Sequence, residues 1–250
     1  MTLLQVKGLV KRFGGLLATD HLDLEVRAGE LHAVIGPNGA GKTTLLNQLS
    51  GALMPSAGTI LLDGDDITFA PVHRRARAGI ARSFQITSVF PEFDVLQNVM
   101  FAVQAGEGHS FSFWKPAAQD RSLREPAMAA LEEVGMASLA RQPVAALAHG
   151  ARRQLEIAMT LAMRPRLLLL DEPMAGMSHQ ESLEVVALLQ RLKGRYGIVL
   201  VEHDMDAVFA LADRVSVLVY GRPIACGTPR EIQEDPAVRA AYLGDQEELA

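Results

Sequence analysis

An α/β fold with a largely parallel sheet is what this sequence predicts, and three features carry the prediction. The apolar run "ELHAVIG" passes into a glycine-rich turn, "PNGAGKT", and then into a helical pattern. Further along, "RLLLLDEP" and "YGIVLVEHD" are continuous apolar runs, as expected of parallel strands covered on both faces. Helical segments lie between and after them, so the ending reads βαβα, the pattern of a parallel sheet.

The elements follow in order. "LLQVKGLV" and "HLDLEV" open the chain as short β-rich stretches. The second alternates apolar and polar residues, as a half-buried strand does. "LHAVIG" is a third strand, "GTILLDG" a fourth bounded by glycines, and "GIARSFQ" a further short one. From Asn98 the texture changes to Ala, Glu and Met, with helical stretches such as "SLREPAMAALEEVGM" and the loop "AGEGHSFSFWKPAAQ". The Gly, Ser and Pro of that loop put it on the surface, and its Trp114 has no derivable role. Approximately residues 98–163 therefore form a helical insert within one domain spanning 1–250. Another helix, "HQESLEVVALLQRLK", opens at Ser178, which with Glu181 fits an S-x-x-E capping box. A helical tail, approximately 228–250, either packs on the core or touches a partner subunit.

Composition narrows the functional classes. Of 250 residues, 49% are hydrophobic and 21% charged, which suits a globular chain with a real core. A net charge of −5 gives no general affinity for nucleic acid or anionic lipid. Cys226 is the single cysteine, so no intrachain disulfide can form and an oxidising compartment gains no support. The opening stretch is too short and too charged for a secretory signal. No run approaches the roughly 18 apolar residues that cross a bilayer. The expectation is a soluble cytoplasmic protein; work at a membrane requires another chain to span it. The arginines Arg74, Arg75, Arg77 and Arg82 cluster locally and are expected to form a solvated face, the alternative being the border of a groove for a membrane subunit.

The chemistry begins at "GPNGAGKT", residues 36–43, a full G-x-x-x-x-G-K-[ST] match between a strand and a helix. Glycines let such a loop curl its backbone N–H groups around phosphate oxygens. Lys42 brings charge to the β- and γ-phosphates, and the Thr43 hydroxyl can hold Mg²⁺. The helix that follows aims its positive end at the same anion. "LLLLDE" ends a buried strand in Asp171 and Glu172, suited to a hydrated metal ion and an attacking water respectively. Phosphoryl transfer needs such positioning and neutralisation more than covalent chemistry. His203, after the next apolar run, has an imidazole able to sense a γ-phosphate, and the Gln85 amide, after "GIARSF", can touch Mg²⁺ or the water.

In that order these motifs, with "LAHG" before a helix, resemble the ATP-binding subunit of ABC transporters over nearly the whole chain. "KRFGGLLA", "LEIA", "EPMAGM", "VEHDM" and "GTPREIQEDPAVRAAYLG" look like the ATPases of branched-chain or hydrophobic amino acid importers. Those of urea, amide and related importers are similar, and a lipopolysaccharide-export subfamily shares much of the tail. The resemblance implies a P-loop NTPase core with an N-terminal antiparallel β subdomain and a helical insert. It implies MgATP bound by Gly36, Pro37, Asn38, Gly39, Ala40, Gly41, Lys42, Thr43 and Thr44, with Phe13 as adenine platform between Arg12 and Gly14. Core packing is the other reading of Phe13. Metal contacts would come from Thr43, Gln85 and Asp171, the base would be Glu172, and His203 would meet the γ-phosphate. Ala148, His149 and Gly150 would face the ATP of a second subunit in a head-to-tail homodimer or heterodimer. Transmembrane permease subunits would be the partners, with a periplasmic-type solute-binding protein acting through them, so that the chain lies on the cytoplasmic face of the membrane.

The chain departs from the family where "LAHGA" places Ala148 and Ala151 instead of serine and glutamine, and where Ser178 replaces Asp or Asn. Without the serine hydroxyl, a charged hydrogen bond of about 1.5–3 kcal/mol is missing from dimer closure. Gly150 and the helix start survive, and Arg152 faces solvent or adds charge nearby. The hydrolytic residues are complete, so an active ATPase is expected. A non-transport ABC ATPase acting on nucleic acid would show a basic stripe, heptads or a second cassette, and none is visible. A small-molecule kinase would leave "LAHG" and "EHD" without purpose.

Overall fold

The alternating N-terminal segments form one antiparallel hairpin, β1 (Thr2–Phe13) and β2 (Leu16–Arg27). β4 (Ala57–Leu62) pairs with β1, and the short β5 (Asp65–Asp66) completes a four-stranded antiparallel sheet. The computed structural model describes residues 1–83, 89–107 and 120–247.

A second sheet carries the apolar runs. It comprises β3 (Leu31–Ile35), β6 (Ile80–Arg82), β7 (Leu167–Asp171), β8 (Gly197–Val201), β9 (Arg214–Val219) and β10 (Arg222–Gly227). Its order is β10-β9-β3-β8-β7-β6, parallel throughout except for β10 against β9. Every residue of β3, β7 and β8 is buried, which is why these strands read as unbroken apolar runs. Successive side chains point to opposite faces and feed two cores. Leu31, Ala33, Leu168, Leu170, Ile198 and Leu200 enter one, while Val34, Leu167, Leu169, Val199 and Val201 enter the other. The antiparallel sheet and α1 (Lys42–Ser50) cover the second core.

Helices build the first core. α3 (Val95–Glu107), α4 (Arg121–Glu133) and α5 (His149–Ala162) pack on one another and against the sheet. Asp94 and Gln97 cap α3 reciprocally, each backbone N–H donating to the other's side-chain oxygen. α6 (His179–Leu192) opens with the capping box expected of Ser178 and Glu181, and α7 (Met205–Leu211) follows β8. The tail folds into α8 (Pro229–Glu234) and α9 (Pro236–Glu247), burying Ile232 and Val238 against the core. No helix among the described residues is long and apolar enough to cross a membrane.

Three features depart from the sequence reading. β9 and β10 extend the sheet beyond the last strand anticipated, with the turn at Tyr220 and Gly221 reversing the chain. A short helix, α2 (Val72–Arg77), carries the first three of the clustered arginines. And those arginines are not all solvated. Arg74 and Arg77 are exposed, but Arg75 is fully buried. Its guanidinium donates to the carbonyls of Gln48, Leu49, Thr68 and Ala70, closing the C-terminal end of α1. Cations suit a helix C-terminus because its last carbonyls lack partners. Trp114 lies outside the described residues.

Removing this guanidinium strands several buried carbonyls at once. Arg75→Ala is expected to lower unfolding free energy by about 3 kcal/mol, on the scale of breaking a buried charged network. Urea denaturation measures it, and a loss below about 0.5 kcal/mol, the range of ordinary surface changes, would refute the role.

Candidate functional site

Parallel strands deliver their C-terminal ends to one edge of the sheet, where open α/β folds bind ligands. β3 runs into the loop 36–41 and α1, β7 ends at Asp171, and β8 ends one residue before Glu202. Asp171 is in register with Val201, and Glu172 N–H donates to the Val201 carbonyl at 2.9 Å. Lys42, Asp171, Glu172 and His203 thus rise from adjacent strand ends.

The loop needs its glycines for both space and dihedral. Gly36 and Gly41 have φ of 150° and 100°, and a Cβ on either would run into the Leu218 or Ala18 carbonyl. Ala40 is buried beneath the loop, while Asn38, Gly39 and Thr43 are exposed and Pro37 and Thr44 half-buried. Gly41, the N-cap of α1, has no side chain to cap it, so the first-turn N–H groups are open to an anion. Lys42 is nearly buried and donates to the Gly36 and Pro37 carbonyls at 2.5 and 3.0 Å. Burial pulls its ammonium below the usual lysine range, opposed by the charges of Glu172 and Asp171.

Asp171 is fully buried, and burial pushes its carboxyl up against the pull of the Arg82 guanidinium. Arg82 donates to Oδ2 at 2.9 Å, whereas Oδ1 is buried without a partner among the described residues. A bare, desolvated carboxylate oxygen beside an uncapped phosphate loop fits a hydrated divalent cation. No group of three His, Cys, Asp or Glu placed to hold a metal ion is present among the described residues. Glu172 has φ of 47°, a strained value for a non-glycine residue of the sort that concentrates at functional sites.

His203 is 66% exposed and lies 3.6 Å from Glu202, too far for a hydrogen bond. Glu202 is the residue that sequence reasoning missed. Buried at the end of β8, it accepts from the N–H groups of Met174 and His203 at 3.0 Å each. It thereby ties the turn after Glu172 to the His203 loop. The signal was an acid closing an apolar run, overshadowed by the histidine beside it. Gln85 lies outside the described residues.

Phe13 sits at the tip of the β1–β2 hairpin and is 49% exposed, which excludes the core reading. Arg12 and Gly14 beside it are exposed too. The Lys11 ammonium lies 5.2 Å from the Phe13 ring centroid. β2 leads from this tip to Ala18, whose carbonyl abuts Gly41.

The "LAHG" segment leads into α5. Ala148 is the N-cap of α5 and caps nothing, and His149 and Gly150 begin the helix. The Gly150 N–H donates instead to Glu181 Oε1 at 3.0 Å, while Glu181 Oε2 accepts from Ser178 N–H and Oγ. One carboxylate therefore joins the starts of α5 and α6 and neutralises the positive end of α5. Ala151 packs against the core edge. Arg152 is half-buried and donates to the Ala145 carbonyl at 3.0 Å, so it does not simply face solvent.

A phosphate loop, a strand-end acid pair and a separate glycine-bearing helix start, on this pair of sheets, define an ATP-binding cassette. The chain belongs to the ABC transporter family, whose profile matches residues 19–175. A second profile, for branched-chain amino acid ATP-binding cassette transporters, matches residues 222–248. The chain is 40% identical to the high-affinity branched-chain amino acid transport ATP-binding protein BraF of Pseudomonas aeruginosa, covering 97% of this chain and 98% of that one. It is 34% identical to the lipopolysaccharide export ATP-binding protein LptB of Escherichia coli, covering 98% of each. Among solved structures, the ADP conformation of MJ1267, an ATP-binding cassette of an ABC transporter, is similar with a TM-score of 0.86 at 27% identity, covering 98% of this chain and 99% of that one.

The Glu181 bridge gives a pH-dependent expectation. Bonds from Ser178 and Gly150 hold its carboxyl below the usual glutamate value. A depressed acid stabilises the fold above its unfolded pKa and loses that contribution as pH falls through the folded value. The stability difference between wild type and Glu181→Gln should be constant above about pH 5 and shrink as the solution is acidified below it. Denaturation at a series of pH values measures it, and a difference that does not vary with pH would rule out an ionised bridge.

Proposed function

We propose that this chain is the ATP-hydrolysing subunit of an ABC importer for branched-chain or hydrophobic amino acids. The observation that carries the solute class is the match of residues 222–248 to the branched-chain amino acid profile, supported by the BraF relative. Lipopolysaccharide export is the weaker alternative, resting on lower identity. In this reading two cassettes, identical or sibling, face each other head to tail beneath transmembrane permease subunits fed by a periplasmic-type binding protein. The chain then lies peripherally on the cytoplasmic face, and nucleic acid plays no part.

The residues divide the work. Phe13 stacks on adenine; the backbone of residues 36–44 and the ammonium of Lys42, released from its loop carbonyls, take the phosphates. Thr43, Asp171 and Gln85 would hold Mg²⁺, which supplies charge neutralisation at the transferring phosphoryl group. Glu172 orients water in line with the γ-phosphorus and accepts its proton as the new P–O bond forms and ADP leaves. His203, exposed at the same edge, contacts the γ-phosphate. Across the dimer, Ala148, His149 and Gly150 meet the partner's ATP through backbone groups, and there the γ-phosphate replaces Glu181 on the Gly150 N–H.

An apolar groove of about 350 Å³, lined by Arg82, Phe90, Phe101, Met159 and Met163, opens beside α3 and α5. Phe101 makes edge-on contacts with Phe90 and Phe93 at 5.3 and 5.1 Å, and those two rings are partly exposed. Such a wall of rings suits an apolar helix in a groove, and a cytoplasmic helix of the permease is the occupant this function needs.

Glu172→Gln should retain ATP binding, lose turnover and accumulate as a closed dimer on size-exclusion chromatography with ATP. Wild-type turnover would remove Glu172 as the base. Phe13→Ala should raise the ATP Kd about fivefold, because aromatic stacking contributes about 1 kcal/mol. An unchanged Kd in a binding titration would take adenine away from Phe13.

A further inference from the structure

We propose that Arg82 is a positioning residue for Asp171, its guanidinium anchored on α1 and clamping one oxygen of the buried carboxylate so that the other is presented bare to the metal. The inference rests on the reading of Asp171 as a metal-binding acid and adds a residue that none of the motifs contains.

The geometry is local. β6 pairs in parallel with β7, Arg82 opposite Leu169, and Ser83 N–H donates to the Leu169 carbonyl. That register brings Arg82 alongside the strand end that carries Asp171. One guanidinium nitrogen reaches Asp171 Oδ2 at 2.9 Å, and the other reaches Asn47 Oδ1 at 2.5 Å and Ser50 Oγ at 3.3 Å. Asn47 and Ser50 belong to α1, the helix that grows out of the phosphate loop. Loop, arginine and acid are thus joined through one side chain.

Chemistry explains why such a clamp is needed. The terminal torsion of a carboxylate is broad and roughly two-fold, so a lone buried Asp171 has no fixed choice of which oxygen to offer. Lys42 does not make the choice, since its ammonium donates to the Gly36 and Pro37 carbonyls rather than to Asp171. Among the described residues, Arg82 alone hydrogen-bonds Asp171 and leaves Oδ1 unpartnered. With 11% and 0% of their side chains exposed, the pair is dry, and a dry pair holds its geometry more strictly than a surface one.

The test titrates Mn²⁺ into full-length protein with ATP, following free ion by electron paramagnetic resonance, and separately measures ATP Kd in EDTA. In Arg82→Gln the Mn²⁺ half-saturation should rise about tenfold or more, the scale of one charged hydrogen bond, with metal-free ATP affinity close to wild type. Arg82→Lys should restore metal affinity to within about twofold, since it keeps the charge and one donor. Unchanged Mn²⁺ affinity in Arg82→Gln, or an equal fall in metal-free ATP affinity, would overturn the proposal. If Arg82→Gln does not fold, Asn47→Ala, which frees the guanidinium from α1, is read the same way: weaker Mn²⁺ binding supports the clamp and unchanged binding overturns it. Asp171→Asn separates the two readings. If it too leaves Mn²⁺ binding unchanged, the metal-site reading fails; if it weakens binding while Arg82→Gln does not, only the clamp fails.

Discussion

A parallel sheet buried on both faces has nowhere to put polar chemistry except its strand ends, and that constraint organises this protein. β3, β7 and β8 are buried throughout and, His32 and Asp171 apart, apolar, because cores press on them from both sides. Charged groups therefore collect where the strands stop, and parallel pairing makes all three stop at one edge. The phosphate loop, the acid pair and the Glu202–His203 turn are consequences of that geometry. Antiparallel β1, β2 and β4 escape the constraint, and their hairpin tip is where an exposed Phe13 is available for an aromatic face.

Burial at that edge makes its electrostatics sensitive to arrangement. Desolvation pulls the Lys42 ammonium down and pushes the Asp171 carboxyl up, and neighbours of opposite sign oppose both shifts. Arg82 faces Asp171 on one side and lines the apolar groove beside α3 and α5 on the other. Arg75, on the short helix before β6, solves another problem: it terminates α1 by taking up its last carbonyls. Two arginines of one charged cluster thus hold the C-terminal half of the helix that follows the glycine-rich loop, Arg82 through the side chains of Asn47 and Ser50 and Arg75 through the carbonyls of Gln48 and Leu49.

The altered "LAHG" segment looks different once its neighbours are known. Neither Ala148 nor Ala151 offers a polar group, yet the positive start of α5 is not idle. Glu181 occupies the Gly150 N–H and closes the capping box of α6 with its other oxygen. The start of α5 is therefore already neutralised within the chain, by a carboxylate from the first turn of α6.

By itself, the sequence determined the fold class, the order of most elements, and where the glycine-rich loop and the strand-end acids fall in them. These were legible because they depend on local rules: apolar runs for doubly covered strands, glycine for forbidden dihedrals, a capping box four residues long. It did not assign β9 and β10, and it misjudged Arg75 and Arg82. In a six-residue helix that is mostly arginine and histidine, no apolar stripe marks the inward face, and two of the four carbonyls that receive Arg75 come from 26 and 27 residues earlier in the chain. The partners of Asp171, Gly150 and Met174 are likewise remote, at Arg82, Glu181 and Glu202. Only the tertiary structure decided them, because a buried polar group takes whichever partner packing brings within hydrogen-bond reach, and sequence spacing carries no record of that approach.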